Sequence, residues 1–125
     1  MAEPRLRVTD AVGQSWDDPS EAQIQRLYAG LNLSCPFLIL EHPDLWDDDQ
    51  HYLQMALNDD LSMVLEYRDG GPAEHYRAEV PLQSEYGGDE IVVPVLLAWA
   101  ARRQGWRGAL PWVRWDVSRQ EPWSD

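Results

Sequence analysis

The chain has 125 residues, 44% of them hydrophobic, which is enough for one domain with a buried core and too few for two of ordinary size. Ten arginines, no lysine and 22 acidic residues give a formal charge of -12. That field opposes nucleic acid, anionic membranes and anionic substrates and favours a basic partner, although surplus acid also serves simply to keep an aromatic-rich protein soluble.

Arg5 to Asp10 alternates around Leu6 and Val8 and predicts a short first strand. In "DDPSEAQIQRLYAGL", Asp18 as N-cap, Pro19 at the first helical position and Glu21 as a capping-box carboxylate signal a helix start. Ile24, Leu27, Tyr28 and Leu31 follow at helical spacing, so the first helix is expected over about Pro19 to Leu31. "PFLILEHP" is a brief apolar run closed by prolines, which suits a strand buried on both faces better than a helix.

An acidic loop over about 42–50 follows, within which "LWDDDQHY" sets three carboxylates between a tryptophan and a histidine. A meander comes next. His51, Leu53, Met55 and Leu57 share one face of the first segment, and Leu61, Met63, Leu65 and Tyr67 share one face of the second, with Asn58, Asp59 and Asp60 supplying the turn. Tyr76, Ala78 and Val80 point inward in the third, after a Gly-Gly-Pro turn. Alternation of this kind marks an antiparallel sheet with one covered face. A loop of four residues from Asp69 to Pro72 places Arg68 opposite Ala73, Glu66 opposite His75 and Val64 opposite Arg77, so the outer face carries charge.

After Gly87-Gly88, Pro94 suits a first helical turn, and a second helix is expected to begin near Val93. Val95, Leu96, Trp99 and Ala100 then face the sheet, Arg102 and Arg103 occupy the last turn, and Gly105 caps it. "LPWVRWDV" is a final strand, and about 118–125 is a tail. The whole is a single domain, 1–125, of the α+β class: an antiparallel sheet of five to six strands with two helices packed on one face.

Metal ligation is the first chemistry that the acidic loop raises. A calcium EF-hand loop starting at Asp47 needs Gly at its sixth position and Glu at its twelfth, where this chain has Tyr52 and Asn58. His42, His51, His75 and Cys35 lack zinc-site spacing, so no metal site is expected. Three adjacent aspartates do not offer the contrasting environments that separate the pKa values of a catalytic pair. Glu66 and His75, if opposed, form either a proton-transfer dyad or, more commonly, a cross-strand ion pair on a solvated face.

No nucleophile elbow, phosphate-binding loop, dinucleotide turn or zincin motif occurs, so neither an enzyme nor a cofactor is expected. The arginines are too few, and too often beside acids, to track a phosphate backbone, which argues against nucleic acid. Cys35 is the single cysteine, consistent with a reducing compartment. "MAEPRLRVTD" lacks an apolar signal core, and the run Ile91 to Ala101 is too short to span a bilayer. A cytoplasmic protein without membrane attachment is expected.

Protein binding remains. Seven tryptophans are many for this length, and tryptophan is over-represented among interface hot spots. Trp99, Trp112 and Trp115 are expected to fill the core, whereas Trp46 in the acidic loop and Trp123 in the tail are the surface candidates.

The stretch "LSMVLEYRDGGPAEHY", the apolar helix with its Gly-Trp end and "LPWVRW" together resemble the immunity proteins of bacterial polymorphic toxin systems, of the Imm1-type group, over about Phe37 to Trp115. The resemblance implies a small α+β protein of the cytosol that binds and occludes a cognate toxin domain without catalysis. The expected partner is a toxin or other basic protein, and the expected state a monomer or weak dimer. In this reading Asp47, Asp48, Asp49, Asp59 and Asp60 steer and cover the partner, Trp46 anchors it, and Glu66 and His75 lie on the binding face. Two alternatives stay open: an unrelated protein-binding adaptor, and a small-molecule-binding or enzymatic domain built around Glu66, His75 or Tyr76.

Overall fold

The computed structural model describes residues 4–45, 50–81 and 89–123, with only the backbone of Asp89 and Glu90. Eight strands run β1 (Arg7–Asp10), β2 (Ser15–Asp17), β3 (Phe37–Glu41), β4 (His51–Leu57), β5 (Met63–Asp69), β6 (His75–Val80), β7 (Val113–Asp116) and β8 (Glu121–Pro122). Helix α1 (Glu21–Ala29) lies between β2 and β3, and α2 (Asp89–Ala100) between β6 and β7. The strands form one sheet in the order β2-β1-β3-β4-β5-β6-β7-β8, and the neighbours pair antiparallel.

The α+β class and the antiparallel sheet are as expected, but the sheet has eight strands rather than five to six. The two additions, β2 and β8, are three and two residues long, too short to show an alternation in sequence, and both sit at sheet edges. The expected tail over about 118–125 is thus partly sheet. Gln120 N–H donates to the Asp116 carbonyl at 2.8 Å and Trp123 N–H to that of Arg114 at 3.0 Å, which folds β8 back onto β7.

Both helices cover the same side. One cluster joins Val8, Leu38, Leu40, Leu53, Met55, Leu65, Tyr67 and Val80 from the strands with Ile24 and Tyr28 of α1 and Val92, Val95, Leu96 and Trp99 of α2. The period of two in the strands and the i, i+3, i+4, i+7 spacing in α2 make this possible, since each puts its apolar residues on one side. β3 is accordingly buried on one face only, not on both.

Local chemistry moves several boundaries. Ser20, not Asp18, caps α1, accepting from Gln23 N–H at 3.1 Å. Asp18 takes a left-handed conformation and accepts from the backbone N–H groups of Arg5 and Leu6 at 3.0 and 3.1 Å, so Pro19 lies before the helix. α2 begins at Asp89, a turn before the expected Val93, with Pro94 inside it. Burial of Val92, on the same stripe as Val95, Leu96 and Trp99, outweighs the hydrogen bond that Pro94 on the exposed side does not make.

The helix ends with Arg102, not Gly105, in the left-handed position. Arg103 N–H donates to the Ala98 carbonyl and Arg102 N–H to that of Trp99 at 2.9 and 3.1 Å, the two bonds of a Schellman cap. Gly105 instead opens the short 3-10 turn Trp106–Gly108. Leu61, expected inward, lies in the β4–β5 turn with φ 71° and is 49% exposed.

The β5–β6 connection matters most for function. Pro72–Glu74 forms a 3-10 turn, so the loop is longer than the expected four residues. The register is Arg68 opposite His75, Glu66 opposite Arg77 and Val64 opposite Glu79, a slip of two residues from the sequence-based pairing. Because side chains alternate with period two, a two-residue slip changes partners and preserves faces.

Candidate partner-binding face

Among the described residues no element packs on the sheet face opposite the helices. Rows of side chains cross it in register. Glu41, Tyr52, Arg68 and His75 form one row, and Ile39, Gln54, Glu66, Arg77 and Val113 the next. Phe37, Ala56, Val64 and Glu79 form a third. The face is apolar towards the β4–β5 turn, which joins β4 to β5 at 58–62, and polar and aromatic towards the β5–β6 turn.

His75 is the centre of the polar part and is 1% exposed. Its Nε2 lies 3.2 Å from Glu66 Oε2, and its Nδ1 lies 3.2 Å from Arg68 Nε and 3.3 Å from the Tyr52 hydroxyl. A guanidinium only donates. Nδ1 therefore accepts from Arg68, and Nε2 carries the hydrogen that goes to Glu66. Arg68 also donates to Gln50 Oε1 at 3.0 Å and lies over the Tyr52 ring.

The His75 hydrogen bond holds the Glu66 carboxyl below the usual carboxylate range against its desolvation, with Arg77 and Arg68 adding to the effect. Burial pushes the Tyr52 hydroxyl up. The expected Glu66–His75 contact thus exists, although the two residues are diagonal rather than opposite. Chemically it is a closed network: both imidazole nitrogens are engaged inside the protein, leaving no ring lone pair directed at a substrate. His75 positions Tyr52, Arg68 and Glu66, which are the groups that reach the surface.

Beside this network, Arg77 stacks over the Trp115 indole with its guanidinium carbon 4.6 Å from the ring centroid. Trp115 was expected in the core with Trp99 and Trp112, and the structure corrects this. Residues three apart on a strand face opposite ways, so Trp112 packs edge-on against Tyr67 and Trp106 on the helix side while Trp115 stays on the open side. That parity signal was present in "WVRW". Trp99 does fill the core, stacked on His42 with ring centroids 3.9 Å apart. Val113, on the same face as Trp115, is 45% exposed, whereas Arg114, opposite Tyr76 on the other side of the strand, lies over the ring of Trp123, which is 43% exposed.

The acidic residues of the expected site divide into two groups. Trp46, Asp47, Asp48 and Asp49 lie outside the described residues. Asp59 and Asp60 are exposed in the β4–β5 turn, where Ser62 donates to Asp60 from its backbone and side chain and holds that carboxyl below its usual range. Leu45 and Gln50, which flank the acidic stretch, belong to the β3–β4 connection at the other end of β4, roughly 20 Å away.

Among the described residues no three His, Cys, Asp or Glu side chains come together as a metal-holding group, and no helix is long and apolar enough to cross a membrane. Comparisons with protein-family models, with curated proteins and with solved structures give no match. The geometry of the open face carries the functional reading.

Proposed function

We propose that this protein is an immunity-type inhibitor, which binds a cognate basic toxin domain through the open sheet face and occludes it without catalysis. The observation that carries the reading is that face: it is covered by no described element, and its centre sets Tyr52 and Arg68 on a buried His75 with Arg77 stacked over Trp115 beside them. Tyrosine, tryptophan and arginine are the side chains enriched in interface hot spots. Tyr52 and Arg68, held by the His75 network, lose little conformational freedom on binding.

The charge of -12 speeds encounter with a basic surface and adds less to the lifetime of the complex. Asp59 and Asp60 steer from one end of the sheet, and the acidic stretch Asp47, Asp48 and Asp49 adds to the steering, with Trp46 as anchor. Purification of the protein from its native host is the test. A basic toxin domain co-eluting with it, together with protection of cells that express that domain, supports the reading. Repeated recovery of the protein alone or with metabolic enzymes refutes it and favours the adaptor alternative.

A further inference from the structure

We infer that the end of the sheet bearing Val12, Leu33 and Leu61 is a docking surface for an apolar patch ringed by basic groups on the partner. The inference rests on the proposed protein-binding role and carries the interface from the open face over the end of the sheet. Val12, Leu33 and Leu61 are 64, 54 and 49% exposed. Exposed apolar residues scattered singly are ordinary, whereas grouped ones mark an interaction site. These three are grouped. Asp10 lies opposite Leu38, Phe37 opposite Ala56 and Leu57 opposite Met63, so the β1–β2 turn at 11–14, the α1–β3 loop at 30–36 and the β4–β5 turn share one end. With strands about 5 Å apart, the three loops span about 15 Å. The half-buried row Phe37, Ala56 and Val64 of the open face runs up to the same end.

Each loop is held from within. The Asp10 carboxylate accepts from Val12 and Gln14 N–H at 3.1 and 2.9 Å, Asn32 Oδ1 from Ser34 and Cys35 N–H at 2.8 and 3.0 Å, and Asp60 from Ser62 N–H at 2.9 Å. The apolar side chains are thus presented on a braced backbone, which loses little freedom when it is covered. Leu61 is opposed twice by its surroundings: it is exposed, and its φ of 71° is a conformation that glycine or asparagine takes more readily. The chemistry of the occupant follows from charge. Asp59 and Asp60 are exposed beside Leu61, and no arginine occurs in 11–14, 30–36 or 58–62. Beside the β4–β5 turn a cleft of about 440 Å³ sets Met63 and Val80 next to Asp60 and Glu79, which suits the stem and head of a lysine or arginine. A second copy of this chain would bring another charge of -12 against those acids, so a basic partner is the occupant.

The probe is phenethylammonium, an apolar ring with a positive charge, titrated into the full chain while the methyl resonances of Val12, Leu33 and Leu61 are followed by NMR. They are expected to move along a common saturating curve, severalfold further than with phenylpropionate, which has the same ring and the opposite charge. Val117, in the β7–β8 turn at the other end of the sheet, is the internal control. An equal response to the two ions overturns the proposal, as does an equal movement at Val117. Movement of the three resonances with protein concentration alone, matched by a dimer in sedimentation, makes a second copy the occupant and overturns it as well.

Leu61→Asn removes the apolar side chain and suits the left-handed backbone. It is expected to weaken capture of the co-eluting toxin domain about fivefold, as are Val12→Ser and Leu33→Ser, since only the exposed part of each side chain is left to be covered. The urea midpoint of free Leu61→Asn is expected to hold or rise, which a merely structural leucine would not allow. A midpoint that falls while capture is retained assigns Leu61 to the fold and overturns the proposal. Capture unchanged in all three variants refutes the docking surface and leaves the proposed function standing. Absence of any toxin domain refutes the function, and the NMR titration still decides the surface.

Discussion

Replacing His75 by alanine tests the idea that the open face is held by a network beneath it. The substitution removes the hydrogen bond to Glu66 and the acceptor for Arg68, both at 3.2 Å, and both involving a charged partner. Such bonds contribute about 1.5–3 kcal/mol each when enclosed. Glu66 and Arg68 are only half-buried and can rehydrate, which lowers each to about 1 kcal/mol, while loss of the fully buried ring leaves a void of its own. The expected destabilisation is about 2–4 kcal/mol. With a urea m-value of about 2 kcal/mol/M for a domain of this size, the midpoint falls by about 1–2 M with the slope unchanged. Tyr52→Phe is the control. Nδ1 has one lone pair, already facing Arg68, and the Tyr52 hydroxyl is the more distant donor at 3.3 Å, so its loss costs under about 1 kcal/mol. A midpoint for His75→Ala within about 0.3 M of wild type, or a larger loss for Tyr52→Phe, would refute the reasoning.

Three further outcomes follow from the same structure. Leu40 is fully buried at the centre of the core, and Leu40→Ala is expected to cost about 2–5 kcal/mol in urea unfolding; a cost below 1 kcal/mol would mean that the cluster is misdescribed. Pro94→Ala restores a donor to the exposed side of α2 and is expected to raise the unfolding free energy by up to about 3 kcal/mol, read in urea unfolding, with no change in partner capture. Burial holds the His42 imidazole below its ordinary value of 6.5, so the unfolded chain takes up the proton first: stability is full above pH 6.5 and falls as the pH drops towards the lowered native value. His42→Gln should remove that part of the pH dependence, read from urea midpoints between pH 7.5 and 5.5.

Faces were legible in the sequence and partners were not. Alternation in "HYLQMAL" and "LSMVLEYR" assigns Leu53, Met55, Leu65 and Tyr67 to the core, because one covered face is all that a period of two encodes. Register depends on the turn, and Pro72, which starts a 3-10 turn, lengthened the β5–β6 loop and moved Glu66 from His75 to Arg77. The diagonal reach of side chains across strands retained the Glu66–His75 contact all the same. The sequence points to Asp18 as cap; Ser20 takes that place because Asp18 answers a non-local demand, the N–H groups of Arg5 and Leu6. Trp115 lies on the open side because alternation along the strand, set by Val113 opposite Arg77, outweighs its apolar bulk. Tyr52 and Arg68 carry no local signal, since their role exists only once β4, β5 and β6 are side by side.

The proposed role separates two kinds of electrostatics, and the separation has a kinetic consequence. Exposed acids in the turn at 58–62 act through solvent, where salt screens interactions beyond about 10 Å at 0.1 M. Arg77 and Trp115 act on contact and are partly withdrawn from solvent. Changing Asp59 and Asp60 to asparagine should therefore slow association and flatten its salt dependence while dissociation stays nearly constant, and the same holds for Asp47, Asp48 and Asp49. Trp115→Phe should do the reverse, leaving association almost unchanged and speeding dissociation. Stopped-flow association across 20–500 mM salt separates the two. If both sets of variants alter the same rate constant, steering and anchoring are not distinct, and the open face does not bind in the manner proposed.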